Sequence, residues 1–201
     1  MKLPRIFKHK SSIATRLTWR IILSMTVVFT AILAFILLII CIAGSILLLL
    51  LNITAIQVSN EKINNVFATV ETAITNNVPE VRENMGNDKR QYVAQENLLA
   101  LNPNIVGAAV AYNPNYEPKK GQSFSPYAYR DSTGIHTKQL NEESYDYLHQ
   151  EWYQKAIELG KGVWSEPYID KGGGEIPMIT YSLPLTNNQG DIYAIQTADI
   201  S

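Results

Sequence analysis

The 201-residue sequence predicts an α+β fold: an N-terminal transmembrane helix, a long stalk helix, and a C-terminal module built on an antiparallel sheet. Three observations carry that expectation. Residues 21–51 contain no charged side chain. Apolar side chains then recur at helical spacing, as Ile56, Ile63, Val66, Val70 and Ala73. The C-terminal part holds two strand-like runs, "IPMITYSLPL" and "DIYAIQTADI", joined by Asn187-Asn188-Gln189-Gly190, the composition of a hairpin loop.

The uncharged run is longer than the ~20 residues that cross a bilayer core, so it has room to tilt or to continue as helix beyond the lipid. It also exceeds the apolar region of a cleavable signal peptide, about 7–15 residues. Before it stand Lys2, Arg5, Lys8, Lys10, Arg16 and Arg20 with no acid among them, and basic tails of this kind stay in the cytoplasm. Residues after Asn52 are then expected outside the cytoplasmic membrane. The helix over residues 53–77 is expected to end near Pro79, or a new one to start there. Its seam has two readings, packing against the chain's own sheet or, in addition, a homodimer contact. A second helix is expected over about Lys89–Leu101, with Tyr92, Leu98, Leu99 and Leu101 as its apolar positions, stopped by Asn102-Pro103-Asn104.

From Ile105 the character changes. "IVGAAVAY" reads as a buried strand, and "PYAYRDSTG" alternates Tyr127 and Tyr129 with smaller residues before the turn at Asp131–Gly134. Tyr147–Leu159 reads as a helix with Leu148, Trp152, Ala156 and Leu159 on one face, stopped by Gly160 and Gly162. "VWSEPYID" is strand-like, for a sheet of about five strands. The boundaries expected are a tail at 1–20, a transmembrane helix at 21–51, stalk and second helix at 52–102, and the sheet module at 103–201.

The body after the tail carries roughly 11 basic and 18 acidic residues, a net charge of about −7, which argues against a nucleic-acid partner. The single cysteine, Cys41, builds neither a disulfide framework nor a thiolate metal site, and His9, His136 and His149 are scattered. No cofactor, metal site or catalytic residue is predicted. Glu166 and Asp170 share strand parity, but nothing beside them positions a saccharide. Lys171–Glu175, "KGGGE", lacks the order of a phosphate cradle and reads as a flexible turn.

The order of "LLALNPNIVGAAVAY", "SPYAYRD", "EWYQKAIELGKGVWSEPYID" and "MITYSLPL…GDIYAIQTADIS" behind a membrane helix resembles the double Cache family of extracytoplasmic sensor domains, whose modules are PAS-like. The resemblance covers about Asn52–Ser201. It implies the sensory input of a bacterial membrane receptor. A proximal module, a second membrane helix and an output domain would follow in such a receptor, and the sequence ends at the last strand of the first module. In amine- and amino-acid-binding members an Arg two residues before a Trp grips the ligand carboxylate. A Trp-Tyr pair, a Tyr on the next strand and a late Asp complete that set. Here Trp152, Tyr153, Tyr168 and Asp199 stand at matching places, and Gln150 replaces the Arg. The resemblance therefore implies an amine or a neutral polar ligand in preference to an α-amino acid. The candidate ligand-binding residues are Tyr129, Gln150, Trp152, Tyr153, Trp164, Tyr168, Asp170 and Asp199. Two other classes stay open: a membrane-tethered extracytoplasmic enzyme, and an anchored interaction module whose aromatics are all core.

Overall fold

The computed structural model describes residues 13–116, 121, 123–140, 145–169 and 176–201. The basic tail before Ile13, the glycine-rich Lys171–Glu175 turn and Asp170 lie outside the described residues. The chain divides into two units, Met1–Asn60 and Glu61–Ser201.

In the first unit every described residue belongs to helix α1, Ile13–Glu83. α1 contains a window long and apolar enough to cross a membrane, with none of it buried against protein. Its hydroxyls turn back onto the helix: Thr26 Oγ1 donates to Leu23 O at 2.8 Å and Ser45 Oγ to Cys41 O at 2.9 Å. Such back-bonding satisfies polar groups where lipid offers no partner.

The second unit begins with the rest of α1, followed by α2, Asp88–Leu101. Pro79 does not end α1; the helix continues through it to Glu83. An interior proline costs about 3 kcal/mol. Here the turn beyond it carries Val81, fully buried against Ala94, Val110 and Leu185, and that burial offsets the loss. Of the predicted seam, Val70 is buried and Val66 and Ala73 are partly buried, whereas Ile56 and Ile63 are exposed. Leu101, expected on the apolar side of α2, is exposed as well. α2 starts where Asn87 Oδ1 accepts from Arg90 N, an N-cap that satisfies an otherwise unpaired amide.

Among the described residues seven strands follow: β1 Gly107–Tyr112, β2 Pro126–Asp131, β3 Gly134–Gln139, β4 Val163–Trp164, β5 Tyr168–Ile169, β6 Pro177–Thr186 and β7 Ile192–Ile200. All pairings are antiparallel, in the order β3-β2-β1-β7-β6-β4, with β5 added to β6. The expectation of about five strands missed two features. β3 is polar, "GIHTKQ", and exists because the Asp131–Gly134 turn folds it onto β2. "VWSEPYID" is two short strands, separated at Ser165-Glu166-Pro167, because proline has no N–H for the ladder.

The Tyr147–Leu159 segment also departs from a single helix. Residues Tyr147–His149 form a 3-10 turn, Gln150 is extended, and α3 runs Glu151–Leu159. The cause is tertiary. Tyr147 is buried with its hydroxyl donating to Tyr112 O at 2.7 Å, which ties the turn to β1 and forces the break before α3. Gly160 caps α3 in the left-handed conformation, as expected of a helix-ending glycine. α3 buries Trp152, Tyr153 and Ala156, while Leu159 points to solvent.

The sheet separates two layers. Ala108, Ala128 and Ala198 face Val70, Ile74, Leu98 and Leu99 of α1 and α2. Ala109, Ala111, Tyr127 and Ile195 face Tyr147, Trp152, Tyr153 and Ala156. Small residues on β1 allow both helical layers to approach it closely.

Candidate functional site

The face of the sheet turned toward α3 changes character along the strands. At one end Ala111 and Ile195 pair under α3, a closed apolar contact. Two residues along, Tyr127, Ala109, Thr197 and Ser182 stand side by side. A further two residues along, the row reads Tyr129, Gly107, Asp199 and Thr180 across β2, β1, β7 and β6. Strand alternation puts each row on the same face. The result is a polar floor: Thr180, Ser182, Thr197 and Asp199 are all buried.

Hydrogen bonds join this floor to the surface. Thr180 Oγ1 donates to Asp199 Oδ1 at 2.8 Å, and Tyr168 Oη lies 2.7 Å from Thr180 Oγ1. Gly107 is required in the row. A side chain there would overlap Asp199 Oδ2 and the Tyr127 hydroxyl, which both occupy the space above it.

Tyr168 leads outward into a cleft of about 200 Å³ between the start of α3 and the β4–β5 loop. Its walls are Gln150, Glu151, Trp152, Ser165, Glu166, Pro167 and Tyr168. Among the described residues, two carboxylates stand in this lining and no Lys or Arg does. Trp152 is nearly buried, with its indole N–H donating to Tyr145 Oη at 3.3 Å. Gln150 N-caps α3 without a side-chain cap bond; its amide donates to Asp146 O at 3.2 Å. Two larger grooves, of about 400 and 300 Å³, run along α1 and α2. Neither has an aromatic side chain in its lining, so they offer a ligand less stiff contact surface.

The structure thus brings Gln150, Trp152 and Tyr168 to one cleft and joins Asp199 to it through Thr180. Tyr129 stands in the same row as Asp199, stacked on Tyr127 at 5.9 Å, with the Lys138 ammonium 5.4 Å from its ring. Two of the other residues lie elsewhere. Tyr153 packs edge-on to Tyr147 and donates its hydroxyl to Asn113 Oδ1 at 2.7 Å; burial pushes its pKa up to about 12. Trp164 is on the opposite face of the sheet, against α1: its ring lies 4.6 Å from Phe67, and its indole N–H donates to Glu71 Oε1 at 2.8 Å. With Val163 packed toward α3 and the side chains of neighbouring strand residues on opposite faces, Trp164 has no other place to go. Asp170 lies outside the described residues.

Sequence reasoning missed Gly107, Tyr127, Thr180, Ser182 and Thr197. The period of two in "MITYSLPL" and "AIQTADI" contained the signal: Thr180 with Ser182, and Thr197 with Asp199, are strand residues two apart and therefore on one face.

An antiparallel sheet carrying helices on one face and, on the other, a short aromatic helix over a partly polar floor defines a PAS-like sensor module. The comparisons with known proteins agree. The chain belongs to the family described as methyl-accepting chemotaxis protein-like, first PDC sensor domain, whose model matches residues 94–201. The extracellular domain of soHK1S-Z6, described as a histidine kinase, is 29% identical at a TM-score of 0.58, over 66% of this chain and 53% of that one. Methyl-accepting chemotaxis protein X has 19% identity and a TM-score of 0.58, over 70% and 57%. The ligand-binding domain of the Campylobacter jejuni chemoreceptor Tlp3, solved with L-valine, has 13% identity and a TM-score of 0.56, over 72% and 56%. The last two show the fold alone. No curated protein matches. The chain spans about half the length of these solved structures. The chain is thus a sensor domain preceded by a candidate membrane span in α1.

Proposed function

We propose that the chain is the membrane-distal module of a double Cache sensor in a bacterial receptor. In this reading the N-terminus is cytoplasmic, α1 crosses the cytoplasmic membrane, and residues after Asn52 are extracytoplasmic. The six basic residues before Ile21 support that orientation. The module binds a small amine or a neutral polar compound in the cleft between α3 and the β4–β5 loop, with Asp199 reached through Tyr168 and Thr180. The exposed part of the seam on α1, Ile56 and Ile63, serves as a homodimer contact.

The lining of the cleft is the observation that carries the ligand class. Trp152 and Tyr168 offer aromatic surface, Glu151 and Glu166 favour a cation, and Gln150 provides no charge for a carboxylate. The structure with L-valine concerns a protein of the same fold, and the absence of a cation at position 150 sets this chain apart from such a ligand.

A ligand-dependent thermal shift of the full chain in nanodiscs tests the reading. The panel is putrescine, methylamine, xylitol and L-valine. A binding compound at 100 times its Kd stabilises the protein by about 2.7 kcal/mol. The expected result is a rise in midpoint with an amine or the polyol, lost in Tyr168→Ala. A midpoint unmoved by all four compounds, together with a large loss of stability in Trp152→Ala, would favour an anchored interaction module. The near-complete burial of Trp152 and Tyr153 is the observation on that side.

A further inference from the structure

Trp164 makes no contact with the cleft, yet it is the residue before the loop that walls it. The loop itself is tightly held on the cleft face. Ser165 N donates to Thr180 O at 2.9 Å, and Thr180 N donates to Ser165 Oγ at 3.0 Å. Thr180 Oγ1 also bonds Tyr168 Oη and Asp199. One residue of β6 therefore fixes both ends of the 165–168 loop and the polar floor beneath it.

On the opposite face the same backbone is fixed to α1. The Trp164 ring packs between Phe67 at 4.6 Å and Tyr181 at 5.2 Å, and its N–H reaches Glu71. Tyr181 is the cross-strand partner of Trp164, and its hydroxyl lies over Gly162, where a side chain would collide with it. The phenol's pKa is raised by burial and then by the charge of Glu71, so both rings converge on one carboxylate. β4 is only two residues long, so side-chain anchoring decides where the loop sits.

We propose that Trp164 couples the cleft to α1: its N–H bond to Glu71 and its ring contact with Phe67 carry a displacement of the 165–168 loop to the turn of α1 at residues 67–71. The inference rests on the cleft being the ligand site, but its mechanical part stands independently of which ligand binds. Trp164 is a positioning residue here. An occupant that pushes Glu166 and Tyr168 outward tilts the two-residue strand, and the indole moves with it against α1.

The experiment places an occupant in the cleft without requiring the natural ligand. In the full chain carrying Cys41→Ser and Gln150→Cys, 2-aminoethyl methanethiosulfonate attaches an aminoethyl group at the cleft wall. Hydrogen exchange is read on the α1 segment over residues 65–75, with and without the adduct. The expected result is an exchange-rate change of about fivefold or more, the range of ordinary coupling between sites. Trp164→Phe, which keeps a ring and removes the donor, loses most of that change; so does Glu71→Leu. Glu71→Gln, which keeps an acceptor, retains it. Unchanged exchange in the parent on attachment overturns the proposal, and so does a response in Trp164→Phe and Glu71→Leu as large as the parent's. A compound panel that fails while the adduct still moves α1 would remove the ligand assignment and leave the coupling. A panel that succeeds with no adduct response would do the reverse.

Discussion

The two faces of one sheet behave differently. Toward α1 and α2, Ile74, Leu99, Ile105, Ala108, Ala128 and Ala198 form a sealed contact with essentially no exposure. Toward α3, the same strands present Thr180, Thr197 and Asp199, a glycine with two oxygen atoms above it, and a cleft. Adjacent residues are assigned to opposite tasks: Ala198 seals one face and Asp199 furnishes the other. A fold that joins a rigid helical layer to a polar pocket through strands only 6–10 residues long keeps the two functions one peptide unit apart. On the α3 face Thr180 donates to the buried Asp199 and bonds Tyr168 and Ser165, and Thr197 Oγ1 accepts from Ala109 N.

The difference can be broken at several places, beginning with the largest effect. Leu99→Ala removes a fully buried side chain from the sealed face and is expected to cost about 2–5 kcal/mol in denaturant unfolding of the full chain, with ligand-induced stabilisation of the surviving fold unchanged. Thr180→Val keeps volume and removes the hydroxyl shared by Tyr168 and Asp199. It is expected to cost less, about 1–3 kcal/mol, and to abolish that stabilisation. The reverse pattern would mean that the α3 face is structural and the face toward α1 and α2 senses.

Smaller effects sharpen the boundary between the closed and polar ends of the α3 face. Tyr153→Phe deletes the hydroxyl that donates to Asn113 and should cost about 1 kcal/mol. The Tyr153 phenol has its pKa raised to about 12 by burial, so the folded state holds its proton where the unfolded state releases it. That contribution is complete below pH 10 and is lost as pH rises toward 12. Tyr153→Phe should therefore flatten the stability profile over this window, and an unaltered profile would place the phenol in water. The smallest effect belongs to the β2–β3 turn. Asp131 is held near a pKa of about 2 by hydrogen bonds from Thr133, with His136 and Gly134 adding to it. Its contribution is present above pH 3.8 and lost as pH falls toward 2. Asp131→Ala should remove that acid limb from exchange of the β3 amides and leave the cleft untouched.

How much of this was legible follows the range of the forces involved. The apolar run that makes α1 a candidate membrane span, the α2 segment between Asn87 and Asn102, the Gly160 stop and the hairpin at Asn187–Gly190 are local patterns. The Asn187 side chain indeed accepts from Gln189 N and Asp191 N, as an asparagine turn should. The α+β class, with its sheet near the C-terminus, followed from the helical spacing early in the chain and from the two strand-like runs, β6 and β7, joined by a hairpin loop.

Tertiary structure alone decided the rest. Pro79 stays within a helix because Val81 is buried beyond it, a balance set by residues on other elements, Ala94, Val110 and Leu185. Tyr147 breaks the helix it was expected to start because Tyr112 O takes its hydroxyl. Trp164 belongs to α1 and Trp152 to the cleft, although both stood in one aromatic stretch. Strand alternation and the distance between the two layers settle that choice, and neither is expressed in composition. What the sequence determined by itself is the apolar run of a candidate membrane span, the α2 segment, the Gly160 stop and the β6–β7 hairpin, because those follow from neighbours along the chain. Which face each aromatic serves depends on how the strands register and what packs over them, and that exists only once the sheet has formed.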